Sequence, residues 1–134
     1  MIALDANVLI ALQDASHPLH QPANQLISEA IANDEDLMIS ELTLAETLVH
    51  RVIRGEATQF LNDLAALGVK PQPINPGDGL ALAKLRAKHS TLRMPDAVVL
   101  HLALRLDALA TFDKRLAATA QTAGVSRILG LPQS

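Results

Sequence analysis

The chain has no cysteine, tryptophan or tyrosine, only two phenylalanines, Phe60 and Phe112, and no lysine or arginine before residue 51. Without thiols it can form neither a disulfide framework nor a thiolate zinc site, which fits a reducing compartment and makes the cytoplasm the expected location. Two aromatic rings cannot build a platform on which successive bases stack, so any nucleic acid would be held through phosphate contacts and shape. No apolar run reaches the roughly 18 residues needed to span a bilayer. The opening MIALDANVLIAL lacks a basic flank and carries Asp5, so it does not read as a signal peptide. A soluble protein without membrane association is expected.

What is present is apolar and unevenly charged. Hydrophobic residues make up 49% of the 134, enough for one compact domain with a single core. The formal charge of −3 argues against a dedicated nucleic-acid binder. Its distribution argues less firmly: residues 1–50 hold eight acids and no Lys or Arg, whereas 51–134 hold eleven basic residues and six acids, so the two parts carry −8 and +5. Such asymmetry can build a local field that the total conceals.

Short apolar runs alternate with longer helical patterns, the signature of an α/β domain in which helices cover both faces of a parallel sheet. Strands are expected at 2–4, 37–40, 72–74, 108–112 and 127–129, and helices near 7–14, 19–33, 42–54, 57–67, 78–89, 95–106 and 114–123. Gly55 and Gly68 stand where helices end, NPGD at 75–78 reads as a turn, and Pro95 suits a helix start. The domain is placed at 1–129, with 130–134 as a C-terminal tail.

Four carboxylates deserve weighing. Asp5 follows the first strand, where ligands bind in open α/β sheets, although it or Asn7 could simply cap the next helix. Glu46 lies in SELTLAETLVHRVIRG, in a helix whose inward positions are expected to be Leu42, Val49 and Ile53. Thr43 and Glu46 have capping-box spacing, but apolar neighbours make Ser40 the better cap. Asp96 in RMPDAVVLHLAL heads a segment apolar on nearly every side; the helix dipole favours an acid in a first turn by roughly 0.3–1 kcal/mol, which does not explain a buried one. Asp113 ends ALATF and starts the next helix, where capping is its simplest role, unless Thr111 caps instead.

In a doubly wound sheet these positions face one crevice at the topological switch. Like charges at roughly 4 Å cost about 4 kcal/mol per pair at an effective dielectric near 20, so such a cluster needs protons or a cation. An all-oxygen donor set suits Mg²⁺ or Mn²⁺ rather than zinc. Such an ion polarises a phosphate and lowers the pKa of a bound water, and phosphodiester hydrolysis is its natural use.

At these residues the sequence resembles the PIN-domain nucleases, and within them the VapC toxins of bacterial type II toxin–antitoxin pairs. MIALDANVLI resembles the family's opening strand and first acid, ISELTLAETL the segment bearing its glutamate, LRMPDAVVLHLAL the third-acid helix, and LATFDKRL the closing strand and fourth acid. The likeness runs along nearly the whole chain in order. It implies a sheet of order 3-2-1-4-5, a Mg²⁺- or Mn²⁺-dependent endoribonuclease leaving 3′-hydroxyl and 5′-phosphate ends, and a cognate antitoxin, and a homodimer is expected. The metal-binding and catalytic acids would be Asp5, Glu46, Asp96 and Asp113, with Asn7 and Thr111 as supporting polar groups. Many relatives carry a further acid where this chain has Arg115, which makes a second metal ion less secure.

Lys84, Arg86, Lys88 and Arg93, just before Asp96, are candidate RNA contacts, although charge runs are usually solvated helix faces. His50 is expected to pack, His89 could touch RNA, His101 reads as a satisfied core residue, and His17 and His20 have too little support for a metal site. Two alternatives compete. A haloacid-dehalogenase-type phosphatase also places an Asp after its first strand, but needs a second Asp where Asn7 stands. A degenerate PIN fold would bind without catalysis, and the presence of all four acids counts against it.

Overall fold

The computed structural model describes residues 1–131. The elements follow in the order β1 (Ile2–Leu4), α1 (Ala6–Gln13), α2 (His20–Ala32), β2 (Leu37–Ser40), α3 (Glu41–Ile53), α4 (Ala57–Ala66), β3 (Val69–Gln72), α5 (Asp78–Lys88), α6 (Met94–Leu106), β4 (Ala108–Ala110), α7 (Lys114–Ala123) and β5 (Arg127–Leu129). The strands pair in parallel in the order β3-β2-β1-β4-β5, the one expected. Every residue of β1, β2 and β4 is buried, as strands covered on both faces must be, whereas the edge strands β3 and β5 are partly exposed.

Strand alternation divides the core in two. Ile2, Leu4 and Ile39 face one side, against Val8, Ile27, Leu44 and Phe60 from α1 to α4. Ala3, Met38 and Leu109 face the other, against Leu82, Leu100 and Leu116 of α5, α6 and α7. A wholly buried leucine such as Leu100 contributes roughly 1.5–3 kcal/mol, so α6, buried along Ala97–Leu100 and again at Leu102 and Ala103, is firmly anchored. Among the described residues no helix is long and apolar enough to cross a membrane.

Three local expectations need correction. The third strand spans Val69–Gln72 rather than 72–74, starting just after Gly68, whose φ of +78° turns the chain out of α4. Pro71 lies inside this strand, opposite Ile39, and is tolerated because the strand is an edge. The fourth strand ends at Ala110 rather than Phe112, because the chain then turns to place Asp113 at the start of α7. The inward face of α3 is Thr43, Leu44 and Thr47. Leu42, Val49 and Ile53, expected inside, are 44%, 52% and 75% exposed. The threonines can take the inward face because the Thr47 hydroxyl donates to the Thr43 carbonyl at 2.9 Å, leaving its methyl for the core.

The topology sets the site. From β1 the chain builds outward to β2 and β3, then crosses back to lay β4 and β5 on the other side, so the carboxyl ends of β1 and β4 lie side by side, with Leu4 opposite Ala110. Gly130 closes this end from below: its φ is +103°, and a Cβ there would stand 2.5 Å from the Thr111 carbonyl oxygen. Residues 132–134 of the expected tail lie outside the described residues.

Candidate active site

Where β1 ends, Asp5 takes an extended backbone conformation and caps α1, its Oδ1 accepting the Ala6 N–H at 2.8 Å. Its other oxygen, Oδ2, accepts the Thr111 hydroxyl at 2.8 Å from just beyond β4. Thr111 is fully buried, and its Oγ1 also accepts the Asp113 N–H at 3.0 Å. Asn7 spans the same gap: its amide Nδ2 donates to Thr111 Oγ1 at 3.4 Å and its Oδ1 accepts the Phe112 N–H at 3.3 Å. Asn7 therefore stitches β1 to the segment after β4. A phosphatase of the haloacid-dehalogenase type would need an acid at this position, and the Asn7 amide cannot act as a general acid or base near neutral pH.

Asp113 does cap α7, as its simplest reading required, with Oδ1 accepting the N–H groups of Arg115 at 2.9 Å and Leu116 at 3.2 Å. Thr111, free of that duty, serves Asp5 instead. Asp96 lies in the first turn of α6, half-buried, and its Oδ2 accepts the Arg93 N–H at 3.3 Å. The Arg93 side chain approaches the same oxygen at 3.5 Å. Each aspartate thus has a capping role and a place beside the crevice.

The three aspartates feel one another. Burial pushes the Asp5 carboxyl above its usual range, the Thr111 hydroxyl and Ala6 N–H pull it partly back, and the charges of Asp96 and Asp113 push it up again. Asp96 and Asp113 line one cavity of about 330 Å³, together with Arg93 and Arg115.

Glu46 stands apart. It is exposed on α3 and lines a separate cleft of about 430 Å³ with Gln13, Asp14, His50, Arg51 and Arg54. Ser40, not Thr43, caps this helix, its Oγ accepting the Leu42 N–H at 3.3 Å. His50 was expected to pack; it is exposed one turn beyond Glu46 because the outward face of α3 carries both. Arg51 and Arg54 were not singled out from the sequence. Their signal was present in the i+5 and i+8 spacing from Glu46, hidden because both also serve Glu56, at 3.8 and 3.3 Å, and Arg51 lies 5.1 Å over the Phe60 ring.

Of the four basic candidates, only Arg93 lines the aspartate cavity. Arg86 is committed elsewhere, its Nε donating to the Leu92 carbonyl at 3.1 Å, while Lys84 and Lys88 are exposed on α5. His101 is satisfied by Asp78 at 3.1 Å, as expected of a core histidine. His20 and His17 are used locally, by the Ala11 carbonyl and the Leu19 N–H. His89 keeps a buried Nε2 without a partner among the described residues.

Among the described residues no three His, Asp or Glu side chains converge tightly enough to cage an ion by themselves. The donors at the crevice are carboxylate, hydroxyl and amide oxygens.

No curated protein sequence matches the chain. Among solved structures it is similar to the crystal structure of Mycobacterium tuberculosis VapC20, a sarcin-ricin loop cleaving toxin, with a TM-score of 0.70 at 18% identity over 93% of this chain and 96% of that one. That likeness is one of fold. The PIN domain family matches residues 2–121, most of the chain. With the strand order 3-2-1-4-5 and three aspartates gathered at its switch point, the chain belongs to the PIN domain family.

Proposed function

We propose that this protein is a Mg²⁺- or Mn²⁺-dependent endoribonuclease and the toxin of a toxin–antitoxin pair. The observation that carries the reading is the geometry at the sheet's switch point, where Thr111 ties the Asp5 carboxylate to the Asp113 backbone and Asp113 shares a cavity with Asp96. RNA as the substrate is supported by the sarcin-ricin loop cleavage described for the structurally similar toxin. In this reading Asp5, Asp96 and Asp113 hold the cation, whereas Glu46 lines the neighbouring cleft rather than their cavity. Asn7 and Thr111 fix the orientation of Asp5 and of the segment that presents Asp113. A bound divalent ion supplies charge neutralisation at the phosphate and a more acidic water. In the hydrolysis, water adds to phosphorus and the bond to O3′ breaks, leaving a 3′-hydroxyl on one fragment and a 5′-phosphate on the other.

Lys84 and Lys88 would follow the RNA backbone, and replacing both with Gln should weaken binding and flatten its salt dependence by about 1.4 in log–log slope, roughly 0.7 per single-strand phosphate lost. A cytoplasmic antitoxin partner follows from the toxin reading. The outward apolar stripe of α3, Leu42, Val49, Val52 and Ile53, supports a homodimer in which a second copy covers it. Light scattering on the eluted protein gives its mass directly. The function itself is tested by incubating the purified protein with RNA in Mg²⁺, Mn²⁺ and chelator and sequencing the 5′ ends produced. Cleavage that persists in chelator, or no cleavage with either metal, contradicts the reading.

A further inference from the structure

We propose that the cavity between the starts of α6 and α7 seats a backbone phosphate of the RNA adjoining the one that is cut, with Arg115 as its principal ligand and Arg93 as its second. The inference rests on the nuclease reading and adds positioning residues to it.

The cavity, of about 330 Å³, is lined by Thr91, Arg93, Asp96, Asp113, Arg115 and Thr119 among others, but not by Asp5 or Glu46. It therefore opens from the Asp96 and Asp113 edge of the reacting centre and extends away from Asp5. Its lining combines two carboxylates and two guanidinium groups, with Arg93 Nε 3.5 Å from Asp96 Oδ2. A polyanionic strand bound at the acids through a cation needs positive charge next to them, and this cavity provides it.

Arg115 is placed unusually for a structural arginine. Arg127 forks onto Glu35, at 2.5 and 3.0 Å, and Arg86 holds the Leu92 carbonyl, whereas the guanidinium of Arg115 is exposed with no hydrogen-bond or ion-pair partner among the described residues. Its neighbour Asp113 takes its backbone N–H and not its side chain. Arg115 also stands in the first turn of α7, where the helix dipole disfavours a cation. A bound anion would offset that cost, and of the two cations in this turn only Arg115 lines the cavity. Arg93 is half engaged: its contact with Asp96 is 3.5 Å long and its side chain is largely exposed, so a phosphate can take it over. A guanidinium matches two phosphate oxygens with its planar fork, which a lysine cannot do. Thr91 adds a hydroxyl to the lining, while that of Thr119 donates to the Arg115 carbonyl at 3.1 Å.

The test compares wild type with Arg115→Gln, Arg115→Lys and Lys114→Gln. Lys114 is the adjacent exposed cation that does not line the cavity, so it controls for bulk charge. Binding of a labelled single-stranded RNA is followed by anisotropy in chelator across a salt series, where cleavage plays no part, and kinetics are then measured in Mg²⁺. Arg115→Gln should lower the log–log salt slope by about 0.7 and raise KM several-fold with kcat changed less than about twofold. Arg115→Lys should keep the slope yet not recover wild-type KM, and Lys114→Gln should resemble wild type. Thermal melting shows that each variant is folded. A wild-type slope and KM in Arg115→Gln, or an equal loss in Lys114→Gln, overturns the phosphate seat while leaving the nuclease reading intact. A wild-type protein that binds RNA with the predicted Arg115 dependence but cuts none with either metal overturns the nuclease reading instead, and one that binds no RNA overturns both.

Discussion

Thr111 carries more of the site than its size suggests. Its one hydroxyl donates to Asp5 and accepts from Asp113 and Asn7, in a fully buried position. Thr111→Val keeps the shape but strands a carboxylate oxygen and a backbone N–H, which should cost about 1–3 kcal/mol in chemical denaturation and lower cleavage, while Thr111→Ser retains most of both. Asp5 presents the opposite balance. Because its folded pKa is raised, the native state holds that proton more tightly than the unfolded chain, so stability is lost as pH rises from the unfolded value of about 3.8 through the raised one. At neutral pH the ionised Asp5 works against the metal-free fold. Asp5→Asn keeps a good cap on α1 and removes the charge, so its Tm in chelator should exceed that of wild type while cleavage disappears. A lower Tm would mean that burial does not strain this carboxylate.

At the level of elements, α3 decides how Glu46 is presented. If Leu44 faces the core and Val49 faces solvent, Leu44→Ala should cost roughly 2–5 kcal/mol and Val49→Ala less than about 0.5 in the monomer, and equal costs would restore the face expected from the sequence. The sequence misleads here because bulk is easier to read than satisfaction: Thr47, its hydroxyl settled on the Thr43 carbonyl, and Thr43 displaced larger apolar residues from the inward face. The same limit hid β3, whose Val69 is its one buried residue, so no apolar run marks it. Where the pattern is strong the reading holds: β1, β2, the helix over Asp96, and the caps Ser40 and Asp113 all lie where local chemistry puts them. The pairing of α5 with α6 through Asp78 and His101 is a tertiary fact that local pattern cannot show. The Asn75 N–H and His101 hold the Asp78 carboxyl below its usual range, so its contribution is present above the unfolded pKa and is lost as pH falls through the lowered one. Asp78→Asn should therefore melt below wild type at neutral pH, with the gap closing in acid.

The whole molecule joins what the chain keeps far apart. Asp5 and Thr111 are 106 residues apart in sequence, and only the return of the chain to the other side of β1 sets them in contact. Periodicity supplied the strands and the crevice; the ordered likeness to PIN nucleases supplied which strand lies beside which. Arg51 and Arg54 became legible only once the fold had set them beside Glu46, and Arg115, marked in the sequence only as a missing acid, gained a place in the aspartate cavity. Even the last described turn belongs to this arrangement: Gly130→Ala would force a Cβ into the Thr111 carbonyl, so it should destabilise the fold by about 1 kcal/mol or more and disturb the Asp5 contact with it. The central claim is that the crevice aspartates hold a cation for RNA cleavage, and Asp96→Asn tests it most directly, since Asn keeps the neutral shape at the head of a well-buried helix. The account predicts a variant that melts like wild type and no longer cuts RNA in Mg²⁺ or Mn²⁺; a folded variant that cuts as fast as wild type would contradict it.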